Sequence, residues 1–153
     1  MRRSERRETV FRLLYMQQFR GDEMPEQISE YLESVRGGLE EVPADGKVSD
    51  AEEVKIRKAL EDITAHIPEI DERLNKVSKG WKTSRMGKVD LSILRLAVYE
   101  LLFDDDVPTG VAINEAVEIA KRYGGDETAS FVNGILGQIA RQAEPKGDPE
   151  KTE

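Results

Sequence analysis

Apolar residues recur along the chain at intervals of three and four almost from end to end, the spacing that gathers them on one face of a helix. No stretch shows the strict alternation of a half-buried strand. Val10, Leu13 and Leu14, with Phe11 and Tyr15 beside them, mark a first helix. Pro25 is suited by its fixed φ to open a second, with Ile28, Tyr31, Leu32 and Val35 as its stripe and Gly37-Gly38 as its stop. Residues 37–48 read as a loop. Ser49 and Glu52 have the spacing of a capping box, in which hydroxyl and carboxylate each take a backbone N–H that a helix start leaves unbonded. Ile56, Leu60, Ile63 and Ile67 carry a third helix to Pro68, whose missing N–H is expected to interrupt it, and Ile70, Leu74, Val77 and Trp81 then space a fourth.

The segment "VDLSILRLAVYELLF", residues 89–103, is apolar nearly all round, the pattern of a helix enclosed by others. "DDDVP" ends it. Residues 112–123 predict a sixth helix that stops at Gly124-Gly125, and Phe131, Ile135, Leu136 and Ile139 mark a seventh. Seven helices with mostly short connections predict an all-α domain of packed helix bundles over residues 1–142, followed by a loose charged tail at 143–153.

A chain of 153 residues buries about two thirds of the surface it exposes when unfolded, so a core forms without staples. The absence of cysteine rules out disulfides, thiolate nucleophiles and cysteine-ligated zinc. No segment is apolar for long enough to span a bilayer, and the basic start runs directly into an amphipathic pattern without the apolar core of a secretory signal; both fit a cytoplasmic protein.

The inventory for catalysis is thin. His66, the single histidine, stands just before Ile67-Pro68, where it is expected at a helix end beside terminal carbonyls. Asp104, Asp105 and Asp106 are consecutive, so they cannot all face one ion, and they read as a solvated loop rather than a metal site. The glycines of "YGGDE" lack the lysine and preceding strand of a phosphate-binding loop. These readings predict no enzyme, no metal and no cofactor.

Charge points to binding instead. Residues 2–15, "RRSERRETVFRLLY", hold Arg2, Arg3, Arg6, Arg7 and Arg12 against Glu5 and Glu8, five minus two or +3, in a chain of net charge −8. At helical pitch Arg2, Arg3, Arg6 and Arg7 continue the side of Val10, Leu13 and Leu14 one or two turns earlier, so they are expected to overhang the core and take phosphates.

The stretch "VPTGVAINEAVEIAKRYGGDETASFVNGIL", residues 107–136, resembles the signature of the transcription antitermination factor NusB family, as do the "RRE…LLY" start and "VDLSILRLAVYELL". The likeness is weakest over residues 20–80 and in the final tail. The resemblance implies a seven-helix, NusB-like fold of two helical subbundles. It implies binding of boxA single-stranded RNA together with the small-subunit ribosomal protein that doubles as NusE, within an RNA polymerase antitermination complex that reads through terminators in ribosomal RNA operons. Two other functions stay open: a helical adaptor without RNA affinity, and an RNA-binding subunit for a separate RNA methyltransferase.

The resemblance also assigns residues. The arginines Arg2, Arg3, Arg6 and Arg7 coincide with the family's basic RNA-contacting start, and Phe131 with an aromatic position near the RNA, flanked by Glu127 and Ser130. An aromatic ring there can stack on an unstacked base, or can belong to the core with Ile135. The family often has lysine where this chain has Ser130, which implies one phosphate contact fewer. Tyr15 and Asp90 match positions at the protein-partner interface, although Tyr15 also suits a core and Asp90 a helix cap. Asn114 and Glu115 are expected as polar groups finding partners within an apolar helix, and Gly134 and Gly137 as sites of close helix packing.

Overall fold

The computed structural model describes residues 2–20, 24–36, 48–80 and 82–143. Among them the fold is all-α: α1 (Arg3–Arg20), α2 (Met24–Arg36), α3 (Asp50–Val77), α4 (Lys88–Phe103), α5 (Thr109–Tyr123) and α6 (Asp126–Gln142), with a short 3-10 turn at Thr83–Arg85. The chain divides into two compact units, Met1–Ala65 and His66–Glu153. Gly37-Gly38, the loop over 37–47, Trp81 and the tail after residue 143 lie outside the described residues.

Among the described residues six α-helices stand in place of the seven expected, because Pro68 does not interrupt α3. Ile56, Leu60, Ile63, Ile67, Ile70, Leu74 and Val77 form one unbroken four-three repeat, and all but the half-buried Ile67 are buried. Burying each such side chain contributes about 1.5–3 kcal/mol, whereas a proline inside a helix costs about 3 kcal/mol, so the summed stripe outweighs the break. The ring of Pro68 is exposed. The fourth predicted helix is therefore the second half of α3, which ends at Val77.

In the first unit α1 packs on α2, and the predicted stripes Val10, Phe11, Leu13, Leu14 and Ile28, Tyr31, Leu32, Val35 are buried. The start of α3 is half the predicted capping box: the Glu52 N–H donates to Ser49 Oγ at 3.1 Å, but the Glu52 carboxylate turns to Arg6. In the second unit α4, α5 and α6 pack on one another. As its all-round apolarity predicts, α4 is enclosed, with Leu91, Ile93, Leu94, Leu96, Ala97, Val98 and Leu101 buried. A fork from Arg95 Nε and Nη2 to Asp71, at 3.0 and 2.8 Å, ties α4 to the second half of α3.

The turn between α5 and α6 is made by the predicted Gly124-Gly125. Both N–H groups donate to the Ala120 carbonyl, at 2.8 and 3.0 Å, closing the end of α5. Gly125 then has φ +88° and ψ −172°, a region open in practice to glycine alone, and is the residue from which α6 starts. The sixth predicted helix begins three residues earlier than expected, at Thr109 directly after Pro108.

Candidate nucleic-acid interface

The arginines at the start of α1 do not form a projecting row of four. Arg2 and Arg3 are exposed, Arg2 Nε lying 2.8 Å from its helical neighbour Glu5. Arg6 is half-buried and donates a fork to Glu52 of α3, Nε to Oε2 at 2.8 Å and Nη2 to Oε1 at 3.0 Å. Arg7 is only 9% exposed. Helical pitch explains the difference: Arg7 stands about one turn before the buried Val10 and two before the buried Leu14, so the core reaches one turn further than apolarity alone predicts. The expected overhang thus holds for Arg2 and Arg3 and is corrected for Arg6 and Arg7.

A second surface lies along α6. Glu127, Ser130, Phe131 and Gly134 fall at i, i+3, i+4 and i+7, hence on one face. Glu127, Ser130 and Gly134 are exposed and Phe131 is half-buried, so its ring is neither fully core nor fully free. A Cβ placed on Gly134 meets nothing within 4 Å, and one on Gly137 meets only the far end of Arg141 at 3.4 Å. The expectation that these two glycines permit close helix packing is therefore corrected; Gly134 instead keeps the surface beyond Phe131 low.

The candidate partner residue Asp90 lies in the first turn of α4, whose N-cap is Gly87, so Asp90 is not the cap. Burial raises its carboxyl above the ordinary value, opposed by hydrogen bonds from the Thr128 side chain and from its own N–H. Thr128 Oγ1 also lies 3.2 Å from the Gly124 carbonyl, so one hydroxyl proton faces two acceptors at the α5–α6 turn. A carboxyl raised on folding makes the native state bind protons more tightly, so stability falls as pH rises from its unfolded pKa through its folded one. Asp90→Asn is accordingly expected to keep or gain stability at neutral pH and to lose that descending limb. Urea unfolding across pH checks this, and a clear loss at neutral pH would show that the charged carboxylate stabilises the fold.

Tyr15 is half-buried and packs edge-on against Phe19, ring centroids 5.2 Å apart. Phe19 is 59% exposed, and sequence reasoning passed over it, although the i, i+4 aromatic spacing was a signal. Glu52 and Thr128 were also missed as partners of site residues.

The remaining candidates resolve simply. His66 lies inside α3 rather than at a helix end, its ring 4.1 Å from that of Phe103 and 5.7 Å from that of Tyr99. Asp105 and Asp106 are exposed, and Asp104 Oδ1 accepts the Asp106 N–H at 3.0 Å, a turn contact. Asn114 is exposed and Glu115 half-buried, so Asn114 is no buried polar group within its helix. Among the described residues no three acidic or histidine side chains are placed to hold a metal, and no helix is long and apolar enough to cross a membrane.

The sequence profile of the NusB family matches residues 4–141. The chain belongs to the NusB family. Among NusB relatives, the transcription antitermination protein NusB of Agathobacter rectalis is 44% identical over 140 residues, covering 92% of this chain and all of that one. The solved structure of NusB from T. maritima superposes with a TM-score of 0.80 at 35% identity, over 95% of each chain. A crystal structure of the antitermination factors NusB and NusE in complex with dsRNA superposes at 0.75 with 27% identity, over 92% of this chain and 96% of that one.

Proposed function

We propose that this NusB-family chain is a cytoplasmic transcription antitermination factor. In this reading it binds boxA single-stranded RNA together with the ribosomal protein acting as NusE, and so promotes RNA polymerase read-through in ribosomal RNA operons. The observation that carries the proposal is family membership across residues 4–141, with a relative solved in complex with NusE and RNA. The mechanism is assembly of a complex and makes or breaks no bond.

In this reading the exposed guanidiniums of Arg2 and Arg3 take phosphates, each neutralised phosphate releasing counterions and adding a salt-sensitive increment. Arg6 and Arg7 belong to the same basic start, the first held by Glu52 and the second buried. Along α6 the half-exposed ring of Phe131 offers a face on which a base stacks, with Ser130 donating a hydroxyl and Glu127 discouraging phosphate on its own side. Tyr15 and Asp90 serve the protein partner, and the excess of 31 acidic over 23 basic residues favours encounter with a basic ribosomal protein.

Titration of a boxA-type RNA, with and without the ribosomal partner, tests the proposal. RNA binding that strengthens in the partner's presence supports it; no binding in either case leaves a helical adaptor. Phe131→Ala is expected to cost about 1–3 kcal/mol of RNA affinity. Because the ring is half-buried, its cost in stability should fall below the about 3–5 kcal/mol of a fully buried phenylalanine. Undiminished affinity in the folded variant would remove Phe131 from the site.

A further inference from the structure

We propose that Glu52 is an internal competitor of RNA phosphate at Arg6, occupying the guanidinium edge that a phosphate would take and so holding down the affinity of the chain for RNA. The inference rests on the reading of the α1 start as an RNA-contacting surface.

The first support is where the carboxylate goes. Ser49 and Glu52 have capping-box spacing, and the Glu52 N–H takes its place in that box at 3.1 Å from Ser49 Oγ. The carboxylate does not return to the helix start. It crosses to α1, 46 residues away in sequence, and accepts both Nε and Nη2 of Arg6. Two parallel charge-assisted bonds at 2.8 and 3.0 Å match the way a guanidinium edge grips a phosphate, because carboxylate and phosphate present the same pair of anionic oxygens.

The second support is the contrast between neighbouring arginines. The side chains of Arg6 and Glu52 are 23% and 14% exposed, whereas that of Arg2, paired to Glu5, is 86% exposed. Water and salt compete freely for Arg2 and much less for the partly covered pair. The hydrogen bond from Arg6 holds the Glu52 carboxyl below its ordinary range, so Glu52 stays charged at neutral pH. RNA reaching this end of α1 therefore meets Arg2 and Arg3 at once, and meets Arg6 only after displacing a carboxylate.

Glu52→Gln keeps the shape and removes the charge that holds the fork. The test is fluorescence anisotropy of a labelled boxA-type single-stranded RNA with the full chain over a salt series, for the wild type, Glu52→Gln, Arg6→Ala and the double variant. Glu52→Gln is expected to bind about fivefold more tightly, and with a salt slope steeper by about 0.7, the increment of one added phosphate contact on a single strand. Arg6→Ala should cancel the whole gain when combined with Glu52→Gln, because the added phosphate contact is made by the Arg6 guanidinium.

Unchanged or weaker binding by Glu52→Gln overturns the inference. So does a gain that persists without Arg6, which would reflect only the loss of one negative charge. Should Glu52→Gln not fold, Glu52→Asp shortens the reach by one methylene and carries the same test: a smaller Arg6-dependent gain supports the inference, and no gain overturns it. Arg2→Ala and Arg3→Ala separate the two ideas. If both leave affinity and slope unchanged, RNA does not use the α1 start and both readings fall. If they weaken binding while Glu52→Gln changes nothing, only the competitor role falls.

Discussion

Leu94→Ala is expected to destabilise the protein by about 2–5 kcal/mol, a large share of the about 5–15 kcal/mol that holds a typical domain folded. Leu94 is 0% exposed at the middle of α4, the enclosed helix of the second unit, so truncation removes buried methyl groups and leaves a cavity. Leu102, on the same helix but half-buried, is the internal control: Leu102→Ala should cost markedly less, because its site opens to solvent and leaves no closed void. Urea unfolding of both variants, with the denaturant slope unchanged from the wild type, provides the comparison. Equal losses at the two positions would mean that α4 is not enclosed as described.

The second large effect lies at the α5–α6 turn, where two adjacent glycines are required for different reasons. A Cβ on Gly124 meets the Oγ1, Cβ and Cγ2 atoms of Thr128 at 2.5, 2.6 and 2.7 Å. Rotating the threonine does not relieve this, since its own Cβ is among the clashing atoms, so the first turn of α6 must move. Gly124→Ala is expected to cost about 1–3 kcal/mol as an overpacked site. At Gly125 nothing blocks a Cβ, but φ is +88°, and Gly125→Ala is expected to cost about 1–3 kcal/mol in backbone strain. The Gly124 variant carries a further expectation. Thr128 lies between Glu127 and Ser130 and contacts Asp90, so shifting it should weaken RNA binding by the folded protein, whereas a control such as Leu102→Ala should not. RNA titration of each variant below its unfolding transition reads the difference.

Much of this architecture is legible in apolar spacing. Val10, Phe11, Leu13 and Leu14 of α1, Ile28, Tyr31, Leu32 and Val35 of α2, and Ile135, Leu136 and Ile139 of α6 are buried as their spacing predicts, since three- and four-residue recurrence is the physical requirement for one buried helix face. At Pro68 the local rule and the tertiary one disagree: a missing N–H is visible in the sequence, whereas the stripe running across it gains its energy only from burial. The arginine cluster was legible as charge but not as geometry. Nothing near Arg6 in sequence announces Glu52, and nothing about Arg7 as a residue type announces burial. On α6, the spacing of Glu127, Ser130 and Phe131 was enough to place them on one face, but how far the Phe131 ring emerges depends on neighbouring helices that periodicity does not specify. Phe19 lies outside the predicted stripe, and its exposure follows only from how α1 packs, which periodicity does not specify.

The connections of the second unit have a consequence for how the chain reaches this state. Segments 104–108 and 124–125 are all that separate α4 from α5 and α5 from α6. Bringing such neighbours together closes short loops, so the search for their packing is brief, and chains dominated by sequence-local pairings fold fast. The Arg6–Glu52 fork spans 46 residues and closes a much longer loop. An interaction that forms after the rate-limiting barrier leaves the refolding rate alone and acts on the rate of unfolding. The surface carrying Phe131 is therefore expected to assemble early and the Arg6–Glu52 fork late, so that Arg6→Ala should speed unfolding and leave refolding unchanged in stopped-flow kinetics.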